Sequence, residues 1–324
     1  MGYKLAGYEV LGGVEIDTAM MKVYRANHHP EHSFLMPVQK FVELPDGDIP
    51  EELFDLDILD GSPPCSSFSI SGSREKKWGK KTHFREGQAA QVLNDLFFDF
   101  IKIAHRLQPK VVIAENVKGL ILGKARGYVK EIFAAFKVAG YRCQLFLLNA
   151  SRMGVPQRRE RTFFVASRMD LAADKLALSF AEAEIPFSAI DEGDAGVGVG
   201  KMNDAVKKFW AICDEGSSLS TVHPKAHLWN YRKLSRRLPT PTIDTHISGG
   251  QYSHPTICRS ISNNEIISAQ SFPLDFQYLN QKVGYICGMS VPPFMMQRIA
   301  LEIGRQWFGR EYSSRRALVS EVLQ

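Results

Sequence analysis

The sequence predicts an α/β protein, a mostly parallel sheet with helices on both faces, joined to a smaller irregular domain. Three observations carry this. Short apolar strands alternate with amphipathic helices through the first half of the chain. The rhythm fades after about Arg168, and residues 169–283 are richer in Gly, Ser, His and Pro. A helical pattern then returns in PPFMMQRIALEIGRQWFG, where Met295, Ile299, Ile303 and Trp307 fall on one face. The expected division is 1–168, 169–283 and a returning helix in 284–324.

In order, YEVLGGVEID reads as a strand and TAMMKVYRANH as the helix after it. LDILD is a short apolar strand running into the turn GSPPC. From Glu86 to Leu107, apolar residues recur at Val92, Leu93, Leu96, Phe97, Phe100, Ile101, Ala104 and Leu107, one face of an amphipathic helix that Pro109 ends. KVVIA is a buried β-branched strand, and YVKEIFAAFKVAG a helix stopped by Gly140. YRCQLFLLNA and RTFFVAS read as two further strands.

At 324 residues, 44% hydrophobic and 23% charged, the chain has the make-up of an ordinary globular protein with a sizeable core. Its formal charge of +5 suits a nucleic-acid partner without establishing one. Five dispersed cysteines with no C-x-x-C pair argue against a disulfide framework and a zinc cluster, so no metal is expected. There is no apolar run of eighteen residues and no signal-peptide pattern at the N-terminus. A reducing cytoplasm is the default compartment.

Four segments carry candidate chemistry. DGSPPCSSFS at 60–69 places Cys65 just past the carboxyl end of a strand, the edge where open α/β sheets bind ligands. Two prolines stiffen the approach to the sulfur; a small buried hydrophobe is the plainer reading of a free cysteine. Residues 71–85 hold Arg74, Lys76, Lys77, Lys80, Lys81, His83 and Arg85 against one acid, Glu75. Such a run reads as a solvated surface or as a lid closing on phosphates. Glu115 in VVIAENVKG ends another buried strand, where a half-buried carboxyl suits a proton donor or merely caps the next loop. In QRRER, alternation puts Gln157, Arg159 and Arg161 on one face, able to donate to a base oxygen or phosphate or to pair with surface acids.

Together and in this order, the segments resemble the DNA (cytosine-5) methyltransferase family. DGSPPCSSFS is similar to its nucleophile motif, ENVKG to its acid motif and QRRER to its Gln-x-Arg-x-Arg motif. SISNNEIISAQSFPLDF, with Glu265, Gln270, Phe272 and Pro273, resembles the motif closing the target-recognition region, and GMSVPP the last motif. VEID matches the acidic strand end that holds the cofactor ribose.

The resemblance implies an S-adenosyl-L-methionine-dependent methyltransferase fold and transfer of a methyl group to C5 of a cytosine flipped out of duplex DNA. Cys65 would add to C6, Glu115 would meet N3, and Arg161 and Arg159 would hold the base oxygen and the backbone. Glu15 would bind the ribose hydroxyls and Asp48 the adenine amine, with Ile16, Ile49, Pro63, Leu96 and Ser290 around the cofactor. Arg74, Lys76, Lys77, Lys80, Lys81 and Gln157 would contact DNA. A monomer working in a bacterial or phage-encoded restriction-modification setting is expected.

Two departures stand out. Family members open with a strand and a glycine-rich loop ahead of the segment similar to KLAGYEVLGGVEID, which here begins at residue 4, so that first strand is expected to be lacking. Met289 stands where the last motif usually has Asn, and a thioether replaces an amide poorly. A DNA-binding form impaired in catalysis and an enzyme acting on transfer RNA are the competing readings. Arg232, Lys233, Arg236, Arg237 and His246 are candidates for reading bases, without an assignment of which base each reads.

Overall fold

The computed structural model describes residues 1–63, 96–122, 127–228, 230–245, 247 and 251–309, with backbone alone at 81–82, 91–92 and 126. The chain opens with α1 (Gly2–Leu5), β1 (Gly12–Glu15), α2 (Thr18–His28), β2 (His32–Leu35) and α3 (Val38–Glu43). The Asp17 carboxylate caps α2 by accepting from the Ala19 and Met20 N–H groups. β3 (Ile58–Gly61) leads toward the predicted nucleophile. Then come a short antiparallel pair, β4 (Lys81–Thr82) and β5 (Gln91–Val92), and α4 (Leu96–Leu107), β6 (Val111–Val117), α5 (Arg126–Val138), β7 (Tyr141–Asn149) and β8 (Glu160–Arg168).

The central sheet has the order β3-β6-β8-β7. β3 and β6 pair in parallel, while β8 pairs antiparallel with both β6 and β7. Only β8 therefore runs against the other three, and the sheet is mostly parallel as predicted. One face packs Phe97, Phe136 and Phe164 under α4 and α5; the other packs Ile113, Phe163 and Val165 under α9. β1 and β2 form a separate parallel pair. Val14 of β1 and Leu59 of β3 pack on the same cluster, built on Phe41, Ile49, Leu53, Ile103 and Leu107. The two strands are not paired with each other.

Beyond β8 lie α6 (Asp204–Ile212), β9 (Arg232–Lys233), β10 (Tyr252–Ser253), α7 (Asn263–Ala269), α8 (Val283–Met289) and α9 (Pro293–Trp307). This stretch has its own core, including Phe187, Leu234, Ile243 and Ile266. A capping box starts α7, with Ser262 and Glu265 exchanging bonds with each other's backbone.

Two expectations change. Of the helix predicted from Glu86, the described part is Leu96–Leu107, and Val92 lies in β5, because a short apolar run cannot by its period alone separate helix from strand. The strand read over YEVLGGVEID shrinks to Gly12–Glu15. No helix among the described residues is long and apolar enough to cross a membrane.

Phe164 is fully buried between α4, α5 and the sheet. Phe164→Ala should lower unfolding stability by roughly 3–5 kcal/mol, read as a shift of the urea midpoint at unchanged slope.

Candidate active site

The β6–β8 register pairs Glu115 with Phe163 and Val117 with Arg161, making Glu115 and Arg161 diagonal cross-strand neighbours. Arg161 Nε meets Glu115 Oε1 at 3.0 Å, and the side chains are 14% and 12% exposed. Burial lowers the Arg161 pKa while the Glu115 charge acts to raise it. The pair is thus a nearly desolvated acid and cation at the carboxyl end of β6, able to present a donor and an acceptor edge to one planar ligand.

Asn116, the next residue, was not singled out by the sequence. It is buried, and its Nδ2 donates to the Pro63 carbonyl at 3.0 Å while its Oδ1 accepts from the Val117 N–H at 2.9 Å. The hydroxyl of Thr162 donates to the Asn116 carbonyl. β6 therefore holds the backbone two residues before Cys65. Cys65 itself, with Arg74, Lys76, Lys77 and Lys80, lies outside the described residues, and Lys81 is described only as backbone of β4.

QRRER does alternate, but Gln157 and Arg159 point inward rather than toward DNA. Gln157 is fully buried; its amide nitrogen donates to Gln270 Oε1 at 2.6 Å and to the Ala269 carbonyl, and its oxygen accepts from the Ile243 N–H. Gln270 in turn donates to the Ser290 carbonyl at 2.7 Å. Arg159 is 1% exposed and donates through Nη1 and Nη2 to the carbonyls of Ile243 and Gly288, both at 2.8 Å, leaving Nε buried without a partner. Burial pushes Arg159 down to about 9, and the neighbouring Arg161 adds to the effect. The contact roles expected for Gln157 and Arg159 give way to a joint. Apart from Arg159 Nε, their hydrogen-bonding groups are spent on residues 243, 269, 270 and 288, which sequence spacing could not reveal. Gly288 is required there, since a Cβ would lie 2.3 Å from the Asp244 carbonyl carbon.

The expected cofactor residues divide. Glu15 ends β1 half-buried; burial raises its carboxyl, and the N–H groups of Asp17 and Ile16 partly offset this. Ile49 is buried in the core under α3 and α4, while Asp48 borders a shallow depression with Gly47, Pro50 and Phe54. Pro63 and Leu96 are buried. Ser290 lines a cleft of about 310 Å³ with Ser62, Asp60, Tyr24 and the half-exposed Met289. That volume reaches the lower end of small-molecule sites, roughly 300–1,000 Å³. The Tyr3 hydroxyl, also lining the cleft, is buried and faces the Asp60 carboxylate. The Asp60 carboxylate, the hydroxyls of Tyr24, Ser62 and Ser290 and the apolar side chains of Met20, Val291 and Met296 in one cleft fit a nucleoside carrying an amino-acid arm.

Several base-reading candidates are otherwise engaged. Lys233 donates to the carbonyls of Trp210 and Cys213 and sits 4.3 Å over the Trp210 ring. Arg232 donates to the Gly216 carbonyl, and Arg236 pairs with Glu215. His246 lies outside the described residues. Asp191, His254 and Glu265 cluster like metal ligands, but His254 donates from Nε2 to Asp191, its Nδ1 accepts two backbone N–H groups, and Glu265 takes the Arg259 guanidinium.

Residues 1–191 match the family model of the C-5 cytosine-specific DNA methylase, more than half of the chain. The chain belongs to that family, and its enzyme class is DNA (cytosine-5) methyltransferase. Among its relatives, the Type II methyltransferase M.NgoPII of Neisseria gonorrhoeae is 26% identical over 94% of this chain and 91% of its own length. The Type II methyltransferase M.DdeI of Desulfomicrobium norvegicum is 34% identical over 52% of this chain and 38% of its own. The fold is similar to a structure described as a DNA modification methyltransferase encoded within an E. coli prophage. Its TM-score is 0.71 at 18% identity, covering 94% of both chains. A DNMT2 variant of Spodoptera frugiperda gives 0.61 at 16% identity, covering 93% and 95%.

Gln157→Leu would leave the buried Ile243 N–H and the Gln270 carbonyl group without partners. Each orphan costs about 1–3 kcal/mol, so the thermal midpoint should fall by several degrees. Arg158→Leu, at an exposed ion pair with Glu184, should move it little.

Proposed function

We propose that the protein methylates C5 of a cytosine flipped from duplex DNA, using S-adenosylmethionine and a transient Cys65–C6 bond. The observation that carries this is the Glu115–Arg161 pair standing beside the anchored backbone that leads into Cys65. Cytosine C5 is a weak nucleophile, and addition of the Cys65 thiolate to C6 pushes electron density onto it. Glu115 meets N3, where charge develops as the thiolate adds, and Arg161 donates to the adjacent base oxygen. S-adenosylmethionine, when bound, supplies the methyl group to C5. Removal of the C5 proton by a base then re-forms the 5,6 double bond and expels Cys65. Glu15 holds the ribose hydroxyls and Ser290 lines the cleft that takes the rest of the cofactor. Residues 169–283 form the target-recognition region, fixed to the catalytic strands through Arg159 and Gln157. Arg74, Lys76, Lys77, Lys80 and Lys81 contact phosphates.

The separate β1–β2 and β3-β6-β8-β7 sheets favour one second reading, a form that binds DNA but does not catalyse. The experiment supplies tritium-labelled S-adenosylmethionine with unmethylated mixed-sequence duplex DNA and, in parallel, transfer RNA. Label is expected in the duplex, abolished by Cys65→Ser and reduced about 10²–10⁴-fold by Glu115→Gln. A gel shift without label would establish the second reading, and label confined to transfer RNA would overturn DNA as substrate.

A further inference from the structure

Along β3, Leu59 packs toward α4 and Ile58 toward α9, so Asp60 shares the Ile58 side and opens into the 310 Å³ cleft that Ser62 and Ser290 also line. Asp60 is the only acidic side chain among the described residues lining that cleft, and no lysine or arginine lines it. His28, across the cleft on α2, cannot supply a cation at neutral pH because burial pushes it down to about 4. The remaining groups facing Asp60 are the Tyr3 hydroxyl, the amino group of Met1 and, from β6, the Glu115 charge. Although Asp60 is exposed to the cleft, the walls keep it poorly solvated. This desolvation, with Glu115 adding to it, pushes its carboxyl up to about 6. A carboxylate placed this way, with no ion pair to a side chain among the described residues, is a receptor for a cation brought by a ligand.

Resting on the methyltransferase reading above, we propose that Asp60 is a cofactor-binding residue whose carboxylate receives the α-ammonium of the amino-acid arm of S-adenosylmethionine. The Tyr3 hydroxyl, which faces Asp60 from α1, holds that carboxylate toward the cleft. The apolar wall of Met20, Tyr24 and Met289 encloses the rest of the arm. The ammonium end of the arm is thereby met by an anion, which selects the full cofactor over fragments lacking the arm.

The test is isothermal titration of the full chain and of Asp60→Asn with three probes. S-adenosylmethionine and S-adenosylhomocysteine both carry the ammonium, and 5′-methylthioadenosine lacks the whole arm. Asp60→Asn should weaken the first two roughly tenfold or more, as for a hydrogen bond to a charged group, and leave the third unchanged. In the unmutated chain, the preference for S-adenosylhomocysteine over 5′-methylthioadenosine should shrink as pH falls through about 6, when Asp60 takes up a proton. This second readout stands even if the variant folds poorly. Equal weakening of all three probes, no weakening, or loss confined to S-adenosylmethionine (which would point to the sulfonium) overturns the assignment while leaving the methyltransferase reading intact. Failure of the unmutated chain to bind any probe would sink both.

Discussion

The guanidinium of Arg159, 1% exposed, donates to the carbonyls of Ile243 and Gly288, and the relation of the residues beyond β8 to the central sheet depends on it. Removing a cation from water is costly, and two carbonyls recover only part of that cost. Burial pushing Arg159 down to about 9 expresses the same deficit. Such a group fixes a geometry more than it adds stability. Neither carbonyl can move far without stranding the charge, so residues 243 and 288 stay registered to the start of β8. Gln157 repeats the device with a neutral amide, reaching Gln270 and through it the Ser290 backbone at the cleft.

From that joint the site follows by strand register. Two residues beyond Arg159, Arg161 lies diagonal to Glu115 across the β6–β8 pair, and Asn116 beside Glu115 grips the Pro63 carbonyl. The residues beyond β8, the acid–cation pair and the backbone before Cys65 are thus tied to neighbouring positions at one end of the β6–β8 pair. A shift of one residue in the β6–β8 register would send Glu115 and Arg161 to opposite faces. The fully buried Ile113, Phe163 and Phe164 on both faces of the sheet oppose that slip.

Much of this was legible in the sequence where period and local chemistry decide. TAMMKVYRANH is α2 to the residue, its cap being the acid that ends VEID. KVVIA falls in β6, and the face carrying Met295, Ile299 and Ile303 is buried. Illegible were the features set by partners far along the chain. Gln157 and Arg159 looked like donors awaiting DNA because their acceptors sit some 84 to 129 residues away. Asn116 carried no signal beyond its place in ENV, since its role depends on where Pro63 lies. The start of α4 was misplaced because Gln91–Val92 is held by a cross-strand pair that periodicity cannot detect.

The most direct measurement places 5-fluorocytosine in mixed-sequence duplex DNA with S-adenosylmethionine and follows the protein on a denaturing gel. Fluorine cannot leave C5 as a proton does, so a thiolate bond to C6 formed during transfer cannot be released. A protein–DNA species that survives denaturation, and is missing with Cys65→Ser, is the predicted result. Methyl transfer to ordinary cytosine without any such species, or a species that persists in Cys65→Ser, would contradict the covalent route built on Cys65, Glu115 and Arg161.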